Sequence, residues 1–264
     1  MINQESSSSN FTSLPLAGKS VLVTRPAHQS RDFADSLSKL GAEVWLVPVV
    51  EVVPIAVDNS VNLADYDWLI FTSVNGVAAF SEKLKEHQKT SQRFPKLAAI
   101  GPATAASLQS SGYAVQAVPD EFISDAIPET LGNIDGTKIL IPRAREARKE
   151  IITLLEERGA EVRELPVYFS RVNQDQVILD FLQSKVVENR QPDFITLTSS
   201  STVRFLKELL VKFDAESWLK NSTLCCIGPI TAGTVSKLGY QPTVVASEYT
   251  ITGLIEAIRQ SLNR

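Results

Sequence analysis

The six residues Ile100-Gly101-Pro102-Ala103-Thr104-Ala105 return as Ile227-Gly228-Pro229-Ile230-Thr231-Ala232, with one exchange, Ala103 for Ile230. Each copy follows a short apolar run. Each precedes a stretch of helical character that ends in Gly112-Tyr113 or Gly239-Tyr240. A buried strand, a glycine turn, proline at the first helical position and threonine within the first turn form a strand-to-helix elbow. Such an elbow exposes backbone N–H groups and suits anions and polar ligands. Two of them on one chain imply an internal duplication.

The duplication extends over nearly the whole sequence. An offset of 118 carries Gly18 to Gly136, Arg25 to Arg143, Leu37 to Leu155, Gly41-Ala42-Glu43-Val44 to Gly159-Ala160-Glu161-Val162, and Pro48 to Pro166. An offset of 126 then carries Asp67 and Thr72-Ser73 to Asp193 and Thr198-Ser199, and 127 carries the elbows together with Glu121-Phe122 onto Glu248-Tyr249. The second copy has gained about eight residues (126 against 118), which the polar run 173–191 takes up as a surface excursion. Each copy reads as strand, helix, strand, strand, helix, strand, helix, strand, helix. That order predicts parallel sheets covered by helices on both faces, with ligands at the carboxyl ends of the strands. A site between two facing domains is expected, and the repeat alone places their boundary near Asp135.

A chain of 264 residues with 44% apolar content can bury a sizeable core, and a formal charge of -4 provides no basic footprint for nucleic acid. The apolar run 44–50 is too short to span a bilayer, and no signal peptide opens the chain, so a cytoplasmic protein is expected. Residues 1–17 are Ser-rich and are read as a disordered tail. Cys225 and Cys226 are adjacent on one strand, where their side chains point to opposite faces and act as small buried residues. His28 reads as a solvated loop residue and His87, in the charged run 83–89, as a surface helix residue; neither is placed as a base. No Gly-x-Gly-x-x-Gly, phosphate-loop or metal-ligand pattern occurs, so no metal and no cofactor is expected.

In their order and spacing, Phe71-Thr72-Ser73, Leu197-Thr198-Ser199, Pro166-Val167-Tyr168 and the two elbows resemble the uroporphyrinogen-III synthase family. The match covers residues 18–258. The resemblance implies two similar parallel-sheet α/β domains, a flavodoxin-like duplication, joined by a two-stranded linker. It also implies that the domains are not the repeats. One joins residues 18–48 with 170–264, the other is 52–167, and 49–51 with 168–169 form the hinge. The implied substrate is hydroxymethylbilane, a linear tetrapyrrole with eight carboxylates, and the product is uroporphyrinogen III. In that reaction a pyrrole nitrogen expels the terminal hydroxyl, and the substituted α-carbon of ring D attacks the resulting azafulvene. The spiro intermediate then fragments and recloses with that ring inverted. A cofactor-free monomer is implied, in at most transient contact with the preceding enzyme of the pathway.

Residue by residue, Tyr168 matches the family's active-site tyrosine, and it breaks the internal symmetry because the repeat places it opposite Val50. Its phenol is suited to the departing hydroxyl, or it plugs the hinge as an aromatic. Thr104 and Thr231, with Gly101 and Gly228, hold carboxylates at the elbows or merely cap their helices. Ser73 and Asn75, and Ser199 and Ser200 beside Ser201, open the other helix pair as hydrogen-bonding groups or as N-caps; no Gly-x-Ser-x-Gly motif supports a nucleophile. Arg25 and Arg143 are counter-charges for the carboxylates, ahead of Arg145 and Arg148, which with Glu146 and Glu150 read equally as a solvated helix start. The alternative is a two-domain α/β module that binds a small anion without catalysis.

Overall fold

The computed structural model describes residues 14–262 apart from 27–28, 59, 91–92 and 120–126. His28, Glu121, Phe122 and residues 1–13 of the expected tail lie outside the described residues. The first repeat supplies β1 (Ser20–Val23), α1 (Arg31–Lys39), β2 (Glu43–Leu46), β3 (Val50–Pro54), β4 (Trp68–Phe71), α2 (Val74–Thr90), β5 (Lys96–Ala99), α3 (Pro102–Ser110) and α4 (Ile127–Thr130). The second supplies β6 (Lys138–Ala144), α5 (Glu150–Glu156), β7 (Glu161–Val172), α6 (Gln176–Val187), β8 (Phe194–Leu197), α7 (Ser200–Lys212), α8 (Trp218–Asn221), β9 (Thr223–Cys226), α9 (Pro229–Lys237), β10 (Val244–Val245) and α10 (Ile251–Ser261).

These elements build two five-stranded sheets, ordered β10-β9-β8-β1-β2 and β3-β7-β6-β4-β5. Strands β1, β4 and β8 are buried at all four positions, as continuous apolar runs must be when helices cover both faces. Each sheet mixes the repeats. In the first, β1 pairs in parallel with β8; in the second, β4 pairs in parallel with β6. Equivalent carboxylates hold both exchanges. Asp193, just before β8, accepts from the Ser20 backbone N–H at 2.8 Å and from its hydroxyl at 2.9 Å. Asp67, just before β4, accepts from the Lys138 backbone N–H at 2.9 Å.

The chain divides into two compact units, one of residues up to Glu51 with Arg171 onwards, the other Val52–Ser170. A boundary near Asp135, which the repeat alone suggests, falls inside the second unit. In that unit one sheet face packs Leu69, Phe71, Leu97 and Leu140, and the other packs Ile70, Ala98, Ile139 and Ile141. In the first unit Val21, Val23, Phe33, Leu37, Leu254 and Ile258 share a core. Edge strand β3 pairs with β7, and the Ile55 N–H donates to the Val167 carbonyl at 2.8 Å.

Three sequence expectations need correction. Leu16, assigned to the tail, is 0% exposed in the core of the first unit, and its N–H donates to the Leu40 carbonyl at 2.8 Å. The turn of residues 14–17 packs so closely on Gly41 that a Cβ there would stand 2.9 Å from Leu14 Cβ. The run 173–191 contains a helix, α6, capped by Asp175, with Leu179 and Leu182 buried and Phe181 edge-on to Trp45 at 6.1 Å. Its apolar stripe at four-residue and three-residue spacing was obscured by the polar residues around it. His87 is buried at 6% exposure; its Nε2 lies 2.9 Å from the Arg93 carbonyl and its ring 5.5 Å from that of Phe94. Cys225 and Cys226 lie buried in β9, where desolvation pushes the Cys226 thiol up to about 12.

The two elbows share a sequence and differ in backbone. Gly101 has φ +86°, a conformation that favours glycine, whereas Gly228 is extended at φ −179°. We therefore expect Gly101→Ala to lower unfolding free energy by roughly 1–2 kcal/mol. Leu16→Ala should cost about 2–5 kcal/mol in urea denaturation, whereas Leu14→Ala, at a half-exposed position, should change stability by no more than ~0.5 kcal/mol.

Candidate functional site

Because the strands of each sheet core run in parallel, their carboxyl ends gather at one edge, and most of the expected site residues lie just beyond those ends. In the second unit, β4 runs through Phe71 and Thr72 to Ser73 at the start of α2. The Ser73 Oγ accepts from the Gly76 N–H at 3.1 Å, so it caps the helix. It also lies 3.0 Å from the Tyr168 hydroxyl. The turn is pressed against β6, since a Cβ on Gly76 would stand 3.1 Å from the Pro142 carbonyl. Asn75, in the first turn of the same helix, is partly exposed.

Tyr168 reaches Ser73 through an irregularity in β7. Alternation along a strand puts Leu165 and Val167 on one face and would send Tyr168 to the other. All three pack on the same core face, the one formed by Leu69, Phe71, Leu97 and Leu140. The ladder with β6 explains this: Arg143 pairs with Pro166 and Ala144 with Tyr168, leaving Val167 as an extra residue. The Arg145 N–H donates to the Tyr168 carbonyl at 2.9 Å and fixes the strand beyond the bulge. Nothing in the sequence announces this bulge except the broken symmetry with Val50.

Tyr168 is 6% exposed. Burial pushes its phenol above the ordinary range; the Ser73 hydrogen bond pulls it down, Glu146 pushes it up, and Arg143 pulls it down. The neutral phenol is therefore the form the site favours. Arg143 is 4% exposed, and its Nη2 donates to the Arg148 carbonyl. Its Nε stands 3.6 Å from Glu164 Oε1, an ion-pair distance without a hydrogen bond, and neither Nε nor Nη1 has a hydrogen-bond partner among the described residues. Desolvation lowers this guanidinium from its usual value, opposed first by the Glu164 charge. At the elbow of the same unit, Gly101 is buried and Thr104 is 4% exposed.

The remaining expected residues lie in the first unit. Ser199 caps α7 with a reciprocal pair: its Oγ accepts from the Thr202 N–H at 3.2 Å, and Thr202 Oγ1 accepts from the Ser199 N–H at 3.1 Å. The Ser200 hydroxyl is 2.7 Å from Thr234 Oγ1, which ties α7 to α9. Thr234 was not anticipated from the sequence, because a helical Thr in the second turn carries no motif. Thr231, in the first turn of α9, is 4% exposed, as buried as its counterpart Thr104. Arg25, just after β1, donates from Nη2 to Gln29 Oε1 at 3.1 Å, and burial lowers its pKa.

The structure thus brings Tyr168, Ser73 and Gly76 into one hydrogen-bonded group, and Ser200 to Thr234. Asn75, Gly101, Thr104 and Arg143 share the unit of Tyr168; Arg25, Ser199, Ser200, Gly228 and Thr231 belong to the other. Among the described residues no three His, Cys, Asp or Glu side chains gather as metal ligands, and no helix is long and apolar enough to cross a membrane.

Comparison with known proteins supplies the chemical frame for this arrangement. The family described as uroporphyrinogen-III synthase HemD matches residues 31–256. A uroporphyrinogen-III synthase of Synechococcus elongatus is 34% identical over 260 residues, covering 93% of this chain and 96% of its own. That of Escherichia coli is 28% identical over 250 residues, covering 91% of this chain and 100% of its own. The fold is that of the Helicobacter pylori uroporphyrinogen-III synthetase, with a TM-score of 0.64 at 19% identity, covering 92% of this chain and 99% of that one. A mutant uroporphyrinogen III synthase of Thermus thermophilus has a TM-score of 0.61 at 19% identity, covering 93% and 99%. With the duplicated sheets, the elbows and the serine and tyrosine motifs in the family's order, the chain belongs to the uroporphyrinogen-III synthase family.

Proposed function

We propose that Tyr168, its hydroxyl shared with Ser73, meets the departing hydroxyl of hydroxymethylbilane in the uroporphyrinogen-III synthase reaction. The chain is an enzyme of that family, a hydro-lyase acting on hydroxymethylbilane. The reaction asks little acid-base power of the protein. A pyrrole nitrogen pushes electrons toward the terminal hydroxymethyl carbon, the carbon–oxygen bond breaks, and the hydroxyl leaves as water after gaining a proton. The azafulvene so formed is attacked by the substituted α-carbon of ring D. The spiro centre fragments and recloses with ring D reversed. The enzyme's task is to hold one conformation of a flexible chain and keep water away from the azafulvene.

The observation that carries this role is the 3.0 Å contact between Ser73 Oγ and the buried Tyr168 hydroxyl at the strand ends. Burial disfavours a phenolate, so Tyr168 acts by donating a hydrogen bond to the departing oxygen rather than by standing ionised. Ser73, fixed by the Gly76 N–H, orients that donor. We assign carboxylate recognition to the helix starts at Asn75, Ser199 and Ser200 and to the elbows at Gly101 with Thr104 and Gly228 with Thr231, where first-turn amides lack intrahelical acceptors. Arg25 and Arg143 complete the set as cations; both are desolvated, and each has a buried nitrogen without a hydrogen-bond partner among the described residues. One chain carries both the reacting pair and the anion-binding groups, so we take the working form to be a cytoplasmic monomer that meets the preceding enzyme transiently.

Hydroxymethylbilane generated in situ, followed by oxidation and separation of type I and type III uroporphyrins, tests the reading. The protein should yield predominantly type III. Tyr168→Phe should fold normally and lower kcat roughly ten- to hundredfold, the worth of one buried hydrogen bond to a developing charge, with KM little changed; an unchanged kcat would remove the residue from the mechanism. Because the folded phenol titrates above the ordinary value of about 10, the stability that its neutral form contributes is complete below that pH. It is lost as pH rises through the raised value, so the phenolate absorbance of Tyr168→Phe should lack one late-titrating group.

A further inference from the structure

The second elbow contains a glycine that its backbone does not require. At φ −179° Gly228 is extended and any residue could adopt its conformation, unlike Gly101 at φ +86°. A side chain at Gly228 would crowd the ring of Tyr249: a Cβ there would stand 3.0 Å from Tyr249 Cδ1 and 3.3 Å from Cγ, so the ring would have to give by a few tenths of an ångström. The ring lies over the start of α9, the elbow to which we assigned carboxylate recognition, and the residue is still 65% exposed. Ile230, in the first turn of that helix, is 72% exposed and stands where the other elbow has Ala103.

The backbone on either side of Tyr249 is hydrogen-bonded. The Ala246 N–H donates to the Cys226 carbonyl at 3.0 Å and the Thr250 N–H to the Glu248 carbonyl at 2.8 Å. Thr250 caps α10 by accepting from the Gly253 N–H at 3.0 Å. A Cβ on Gly253 would collide with the Glu248 carbonyl at 2.2 Å, so the turn closes tightly beside the tyrosine. The Tyr249 ring thus lies beside Gly228 on a tightly turned backbone and is left largely open. An exposed tyrosine ring with only two side-chain torsions is well suited to stacking, since little conformational entropy is lost when a flat partner arrives.

We propose that Tyr249 is a substrate-positioning residue whose open face stacks on a pyrrole ring of hydroxymethylbilane while the elbow beneath it holds that ring's carboxylate. The proposal rests on the activity assigned above and names a binding contact for it. A pyrrole carrying acetate and propionate side chains presents a flat π-face beside anions, which matches an open ring beside the start of α9.

Steady-state kinetics of type III formation with hydroxymethylbilane, together with thermal unfolding of the same samples, test it. Tyr249→Ala should raise KM about five- to tenfold with kcat nearly unchanged, the loss expected for one stacked ring. Tyr249→Phe should keep the wild-type KM, because the face and not the hydroxyl is used. The proposal is overturned by a wild-type KM in Tyr249→Ala. It is equally overturned by a loss in Tyr249→Phe as large as that in Tyr249→Ala, or by a fall in kcat or melting temperature without a rise in KM, the mark of a merely structural ring. A wild-type enzyme that forms no type III product would instead remove the activity itself.

Discussion

The architecture depends on an exchange of first strands between two copies of one sequence. Left to itself, a duplicated α/β chain would close each copy into its own sheet. Here β1 lies beside β8 and β6 beside β4, and a carboxylate at the foot of each partner strand, Asp193 or Asp67, holds the incoming backbone. A buried or half-buried strand end needs its N–H groups satisfied, and a carboxylate accepting from a backbone amide is among the stronger ways to do so. The exchange places strands of both copies side by side and in parallel in each sheet. In each sheet the carboxyl ends therefore share one edge, and that unit's own elbow and serines arrive there as a consequence of topology, with Tyr168 beside Ser73 in the second unit.

On that scaffold Tyr168, the proposed hydrogen-bond donor, is placed by a local departure from regularity. A regular β7 would bury either Val167 or Tyr168 against the face that carries Phe71, not both. The extra residue at Val167 lets the core keep its valine and the site obtain its tyrosine. The phenol then sits where burial keeps it neutral and Ser73 fixes its direction. In the proposed role this suits a reaction whose driving force lies in the substrate, because a fixed hydrogen-bond donor would add stabilisation where the hydroxyl departs without a strong acid or base.

The two elbows show how one motif serves two geometries. At Gly101 the glycine is favoured by a positive φ; at Gly228 the backbone is extended and the Tyr249 ring stands close by. Identical letters at these positions therefore record different constraints. The same holds for Thr104 and Thr231, each buried in the first turn of its helix, and for Ser199, whose capping pair with Thr202 shows that a cap and a site candidate can be one residue.

The sequence by itself determined the duplication, the α/β class, the elbows, the family and the identity of nearly every candidate residue, because repeats, apolar runs and Gly-Pro turns are local in the chain. It even marked Tyr168, by the broken symmetry with Val50. It misassigned what depends on partners distant in sequence. Leu16 looked like tail because its core lies around Phe33, Leu254 and Ile258; His87 looked like surface because Phe94 and the Arg93 carbonyl fold back over it; α6 looked like a loop because its reason to form is the indole of Trp45. Only the tertiary structure decided the bulge that turns Tyr168 to Ser73, the link from Ser200 to Thr234 and the ring that lies against Gly228. Each is a contact between segments that the chain brings together only when the sheets close, and hydrogen-bond direction and close packing leave no periodicity in the letters to read beforehand.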